Sequence, residues 1–159
     1  LDNKPDLVTI SVGVNDVWHG FYDNHPDGDG PRGVDIETYR QKVTGMVEAA
    51  LAQGSRVVML STTVIHEDLD NKENAKARAY NKVLQEIAFA HKCPFVNLFK
   101  AFEKPIRAYR AVSGNASDLL TTDGVHLNPA GNELMAHTIL RGFGISEKSL
   151  ESVKDAAKR

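Results

Sequence analysis

A single cysteine, Cys93, occurs in the 159 residues, so no disulfide can close within the chain and the fold must stand on packing. Such a lone thiol is expected to be buried and inert. No charge of one sign dominates: 19 basic against 21 acidic side chains leave a net charge of −2, and the lysines are scattered along the chain. That pattern lacks the electrostatic footprint of a nucleic-acid or anionic-membrane binder, and a small-molecule partner is expected instead. No apolar run approaches the length that spans a bilayer, and the opening residues Leu1 to Asp6 are not a signal peptide. The compartment stays open, since any targeting segment is expected in sequence preceding Leu1.

What is present fits one α/β domain over residues 1–159, with 42% hydrophobic and 25% charged positions. Leu7 to Val12 is a short apolar run rich in β-branched residues, expected as a parallel strand buried on both faces. Gly13 then allows a tight turn into Asn15 and Asp16. From Val17 to Gly33 the Gly, Pro and Asp content predicts a long irregular loop that lines a site with Trp18, Phe21 and Tyr22. Asp23, His25, Asp27 and Gly28 echo the start of a calcium loop. Val34 stands where the closing Glu belongs, so no metal is expected.

Asp35 is placed to cap a helix whose apolar positions Tyr39, Val43, Met46, Val47 and Ala50 recur at steps of three and four up to Gly54. Arg56 to Ser61 reads as a second strand, which gives a right-handed βαβ unit. Ala75 to His91 repeats the helical pattern, and Pro94 to Leu98 a third strand. Phe99, Phe102, Ile106 and Tyr109 predict a further short helix, and Ser113 to Asp118 a turn. Asn128 and Pro129 open another helix as cap and first residue. A weaker helix from Ser146, through Leu150 and Val153, ends in Lys158 and Arg159, which suit its dipole.

Two short polar motifs punctuate this frame: Gly13-Val14-Asn15-Asp16 after the first strand, and Asp123-Gly124-Val125-His126 before the helix at Pro129. An Asp three residues before a His lets the carboxylate hold Nδ1–H while Nε2 faces a nucleophile, and an Asn amide can donate to an oxyanion. His19, His25, His66, His91 and His137 read as ordinary surface or core residues. In their order and flanking words, Asn15-Asp16-Val17-Trp18 and Asp123 to Asn128, the motifs resemble the SGNH/GDSL family of serine ester hydrolases.

The resemblance implies a flavodoxin-like three-layer α/β/α sandwich around a parallel sheet, and hydrolysis of carboxylic esters without a cofactor. It assigns His126 as base, Asp123 as its orienting partner and Asn15 as oxyanion-hole donor, with Gly13, Asp16 and Trp18 supporting the site. The family's Gly-Asp-Ser block with the nucleophile, and its oxyanion-hole glycine, have no counterpart between Leu1 and Arg159. The chain therefore reads as shortened at its N-terminus. Ser61, closing a strand at the catalytic edge, is the least unsuitable substitute nucleophile. The alternative is a catalytically silent ligand-binding domain. Without the family's first strand, Leu7 to Val12 becomes an apolar sheet edge, expected to pair with a second copy of the chain or with the missing piece supplied separately.

Overall fold

The computed structural model describes residues 3–114 and 119–157, the last five by their backbone alone. Asn115 to Asp118 of the expected turn, the Val153 side chain and the basic pair at Lys158 and Arg159 lie outside the described residues and side chains. Three parallel strands, β1 (Leu7–Ser11), β2 (Arg56–Leu60) and β3 (Phe95–Val96), form a sheet in the order β1-β2-β3. Leu7 pairs with Arg56 and Ser11 with Leu60, while Met59 pairs with Phe95. The helices are α1 (Val14–Trp18), α2 (Ile36–Ala52), α3 (Lys72–Ala90), α4 (Leu98–Ser113), α5 (Pro129–Gly142) and α6 (Glu147–Ala157). Strand and helix alternate through β3, as the βαβ pattern predicts, and helices lie on both sheet faces.

The period of two along a strand sorts the core into two parts. Val57 and Met59 of β2 join Val43 and Val47 of α2 and Tyr80, Leu84 and Ile87 of α3 in the larger cluster. Val58 and Leu60 turn the other way, against Val96 and Leu98, with Met135 and Ile139 of α5 packed over them. Each such side chain, once fully buried, contributes roughly 1.5–3 kcal/mol. Strand β1 corrects the expectation of burial on both faces. Ile10 is buried and Val8 packs on the larger cluster, but Leu7, Thr9 and Ser11 are exposed. The reason is the narrow second layer, in which α5 packs on β2 and β3.

Capping sets the helix starts. The Asp35 carboxylate accepts from the amides of Glu37 and Thr38 at 3.1 and 2.9 Å, and Asn128 accepts from Gly131 at 3.0 Å ahead of Pro129. Asn71 caps α3 through the Asn74 amide, so that helix begins at Lys72, a turn before the apolar periodicity shows it. Helix α4 is long, running 16 residues through Pro105. The expected loop from Val17 is partly regular. Helix α1 ends at Trp18, one 3₁₀ turn covers His19–Phe21, and the rest folds back so that Gly30 donates to Gly20 and Val34 to Asp16. Cys93 is only half-buried, and that burial pushes its thiol pKa up.

Candidate active site

The sharp exit from β1 depends on Gly13. Its φ of +117° lies where side chains are strongly disfavoured, and a Cβ there would sit 2.7 Å from the Tyr39 hydroxyl oxygen. That hydroxyl donates to the Val12 carbonyl at 3.1 Å, tying α2 to the end of β1. Burial, then the Asp16 charge, push the Tyr39 phenol pKa well above its ordinary value. The same two causes, with Asp35, push Tyr80 up to about 12. Both phenols therefore stay neutral donors. The turn places Asn15 and Asp16 in the first turn of α1, with Asn15 exposed.

The second motif is a closed loop. Thr121 and Leu127 bridge in antiparallel fashion, and the Thr122 amide donates to the His126 carbonyl at 2.8 Å. Inside it, one Asp123 oxygen accepts from the amides of Val125 and His126 at 3.0 and 2.8 Å, and the other lies 2.7 Å from His126 Nδ1. The His126 ring hydrogen bond, then these two amides, hold the Asp123 carboxyl well below the usual carboxylate range. An ionised carboxylate only accepts, so Nδ1 carries a proton, and it is Nε2 that keeps the lone pair whenever the ring is neutral. The His126 side chain is 73% exposed, leaving that lone pair accessible. Gly124 (φ +92°) packs against the His66 ring, where a Cβ would collide, and its carbonyl accepts from the His66 amide at 2.6 Å.

Residues more than a hundred positions apart meet through Trp18. Its ring lies edge-on to His126, with centroids 6.3 Å apart, and also packs on Tyr22 at 5.2 Å and His19 at 5.4 Å. At the carboxyl ends of β1 and β2, a cleft of about 170 Å³ is lined by Ser11, Val12, Val14, Thr62, Thr63, Leu127 and Met135. Open parallel sheets bind their ligands at that end. The helix that follows the Gly13 turn and the Asp123–His126 loop thus meet at Trp18.

Residues 1–134 match the model of the GDSL-like Lipase/Acylhydrolase family. The chain belongs to that family. The acetylxylan esterase of Geobacillus stearothermophilus is 23% identical over 145 residues, 89% of this chain and 60% of its own length. A solved catalytic mutant of an acetylxylan esterase from the same organism superposes with a TM-score of 0.77 at 23% identity, covering 91% of this chain and 62% of that one. A second solved acetyl xylan esterase gives 0.76 at 25% identity, over 88% and 68%. The chain thus spans about three fifths of the length of the curated relative.

Within this GDSL-like chain Ser61, expected as the least unsuitable substitute nucleophile, directly follows β2. Ser61 is completely buried, its hydroxyl donates to the Thr62 carbonyl at 3.0 Å, and its oxygen accepts from the Phe99 amide at 2.9 Å. It serves the start of α4, its hydroxyl engaged both as donor and as acceptor. Sequence reasoning also missed the buried amides of α3 that shape the loop after β2. Asn81 accepts from the Thr62 amide and donates to the Thr62 hydroxyl. Asn74 accepts from the Ile65 amide and donates to the carbonyls of Ile65, His66 and Asp68. The available signal was their spacing of seven, which puts two polar residues on the apolar stripe of α3.

Proposed function

We propose that this GDSL-like chain serves in the hydrolysis of short-chain carboxylic esters, with acetyl esters of carbohydrates as the substrate class suggested by the acetylxylan esterases it resembles. The supporting observation is the 2.7 Å Asp123–His126 hydrogen bond beside Trp18 and the Gly13–Asp16 turn. His126 Nε2 takes the proton from a nucleophilic hydroxyl as it adds to the ester carbonyl and returns it to the alkoxide that leaves; it then takes a proton from water, whose attack frees the acid and gives the hydroxyl its proton back. Asp123 fixes the tautomer and stabilises the imidazolium between those steps. The Asn15 amide donates to the oxyanion of the tetrahedral intermediate, and Gly13, Asp16 and Trp18 hold Asn15 and His126 in place. Ser61 has no part in this scheme.

The outer edge of β1 pairs with nothing among the described residues, and it is proposed as the place where a further strand adds, from adjoining sequence or from a second copy.

The test is turnover of an aryl acetate by the protein as its organism makes it. Removal of the base in H126A is expected to lower kcat by roughly 10²–10⁴. Removal of the oxyanion donor in N15A is expected to lower it by roughly 10²–10³ with KM nearly unchanged. A protein without turnover, or turnover that survives H126A, overturns the reading.

A further inference from the structure

The segment Leu119–Thr121 leads directly into the Asp123–His126 loop, and its polar groups are satisfied from two sides. On the carbonyl side stands Asn128, whose Nδ2 donates to the Leu119 oxygen at 3.1 Å and whose amide donates to the Leu120 oxygen at 3.0 Å. On the amide side stands a carboxylate. Glu67 is 3% exposed. One of its oxygens accepts from the Leu119 amide at 2.8 Å. The other accepts from the amides of Leu120 and Thr121 at 2.7 and 2.9 Å and from the Thr121 hydroxyl at 2.9 Å. Four donors converge on one buried anion.

Such a group is costly to bury and needs its full set of partners. A core contact would be served by an apolar side chain at far lower desolvation cost. The anion is itself held rigidly. The carbonyls of His66 and Asp68 on either side of it accept from Asn74 Nδ2, and the His66 amide donates to the Gly124 carbonyl. The β2–α3 loop therefore grips the second motif at two points, Glu67 on Leu119–Thr121 and His66 on Gly124.

We infer that Glu67 is a positioning residue, whose carboxylate fixes the Leu119–Thr121 edge and thereby the register of Asp123 against His126. It touches neither the imidazole nor the cleft. Glu67→Gln is the informative change because it keeps the shape. A Gln amide has one acceptor oxygen, so its NH₂ must face a backbone N–H, donor against donor. The edge is then released on one side while Asn128 still holds the other.

The readout is the tautomer of His126, taken from the ¹⁵N shifts of its ring at a pH where it is neutral. With Asp123 in register, Nδ1 is protonated and Nε2 is not. In E67Q the Nε2-protonated fraction is expected to rise about threefold or more as the Asp123 hydrogen bond is lost part of the time. A role confined to folding would lower Tm and leave the tautomer as in the wild type, and that result overturns the proposal. Should E67Q fail to fold, Thr121→Val removes one of the four donors and leaves the carboxylate. An unchanged tautomer in T121V overturns the proposal, and a smaller shift in the same direction supports it. The kinetic arm rests on the ester-hydrolase reading: kcat falls in E67Q with KM unchanged. The tautomer is readable whether or not the protein turns over an ester, so failure of that reading leaves this test intact.

Discussion

Replacing Gly13 with Ala tests whether the turn into α1 is held by packing as well as by backbone conformation. Two costs add at this site. A residue with a Cβ at φ +117° carries strain of about 1–3 kcal/mol. The Cβ also lies 2.7 Å from the Tyr39 oxygen, 3.1 Å from Thr62 Cγ2 and 3.2 Å from Tyr39 Cζ. Tyr39 is 3% exposed and has no room to retreat, so overpacking adds about 1–3 kcal/mol. Gly54 supplies the control, since it has φ +85° and nothing within 4 Å of a Cβ, and Gly54→Ala bears strain alone. In urea melts, G13A is expected to be the less stable of the two by about 1–3 kcal/mol, a Tm difference of about 2–4 °C per kcal/mol. Tyr39→Phe separates the terms. By itself it loses the hydrogen bond to Val12, about 1 kcal/mol, but it removes the atom nearest the new Cβ. In the double variant, G13A should therefore cost about 1–2 kcal/mol less than in the wild type. Two substitutions whose costs simply add, within about 0.5 kcal/mol, would refute the clash. Equal melts for G13A and G54A would refute it as well.

Asp123 contributes to acid behaviour, alongside Asp27, Asp35 and Glu103, whose carboxyls are also held low. The folded pKa of Asp123 is depressed, so its contribution is fully present above the ordinary carboxylate value near 3.9 and is lost as pH falls below it. Stability measured from pH 6 to pH 2 should decline less steeply in D123N than in the wild type, and parallel curves would contradict the assignment. At pH 7 the same substitution should lower aryl acetate turnover by roughly 10³–10⁴, because the amide no longer enforces the Nδ1–H tautomer. Ser61→Ala should cost about 1–2 kcal/mol in urea melts, because it leaves the Phe99 amide without its acceptor, with kcat unchanged. A kcat loss above about tenfold in S61A would restore that serine to the chemistry.

The elements legible from the sequence are those set by local rules. The period of 3.6 in α2 and α3, the caps at Asp35 and Asn128, Pro129 at the first helical position and the short β-branched runs of β1 and β2 each follow from nearby residues. The Asp123–His126 hydrogen bond is equally local, since three residues separate its partners. Elements misread were those decided by distant contacts or by a cap outside the apolar pattern. Asn71 starts α3 before its periodicity begins, and β1 is exposed on one face because α5 packs on β2 and β3. Ser61 looked available from its position at a strand end. Its engagement by Phe99 depends on a helix 38 positions away.

The two motifs depend on residues that lie outside both of them. Gly13–Asp16 and Asp123–His126 are individually recognisable, but the groups that fix the second motif in space, Glu67, Asn74 and His66, belong to a segment with no motif of its own. In the fold Glu67 and Asn74 are buried: Glu67 is spent on the backbone of Leu119–Thr121, and Asn74 on the backbone of Ile65, His66 and Asp68 in its own segment. A buried carboxylate with four donors is far more sensitive to geometry than an apolar contact, since every partner lost leaves an unsatisfied group. Substitutions in the Thr62–Leu69 loop should therefore disturb His126 before they disturb the sheet. The tautomer of His126 separates those two effects, because unfolding abolishes the Asp123 hydrogen bond in proportion to the unfolded fraction, whereas loss of register abolishes it in a protein that is still folded.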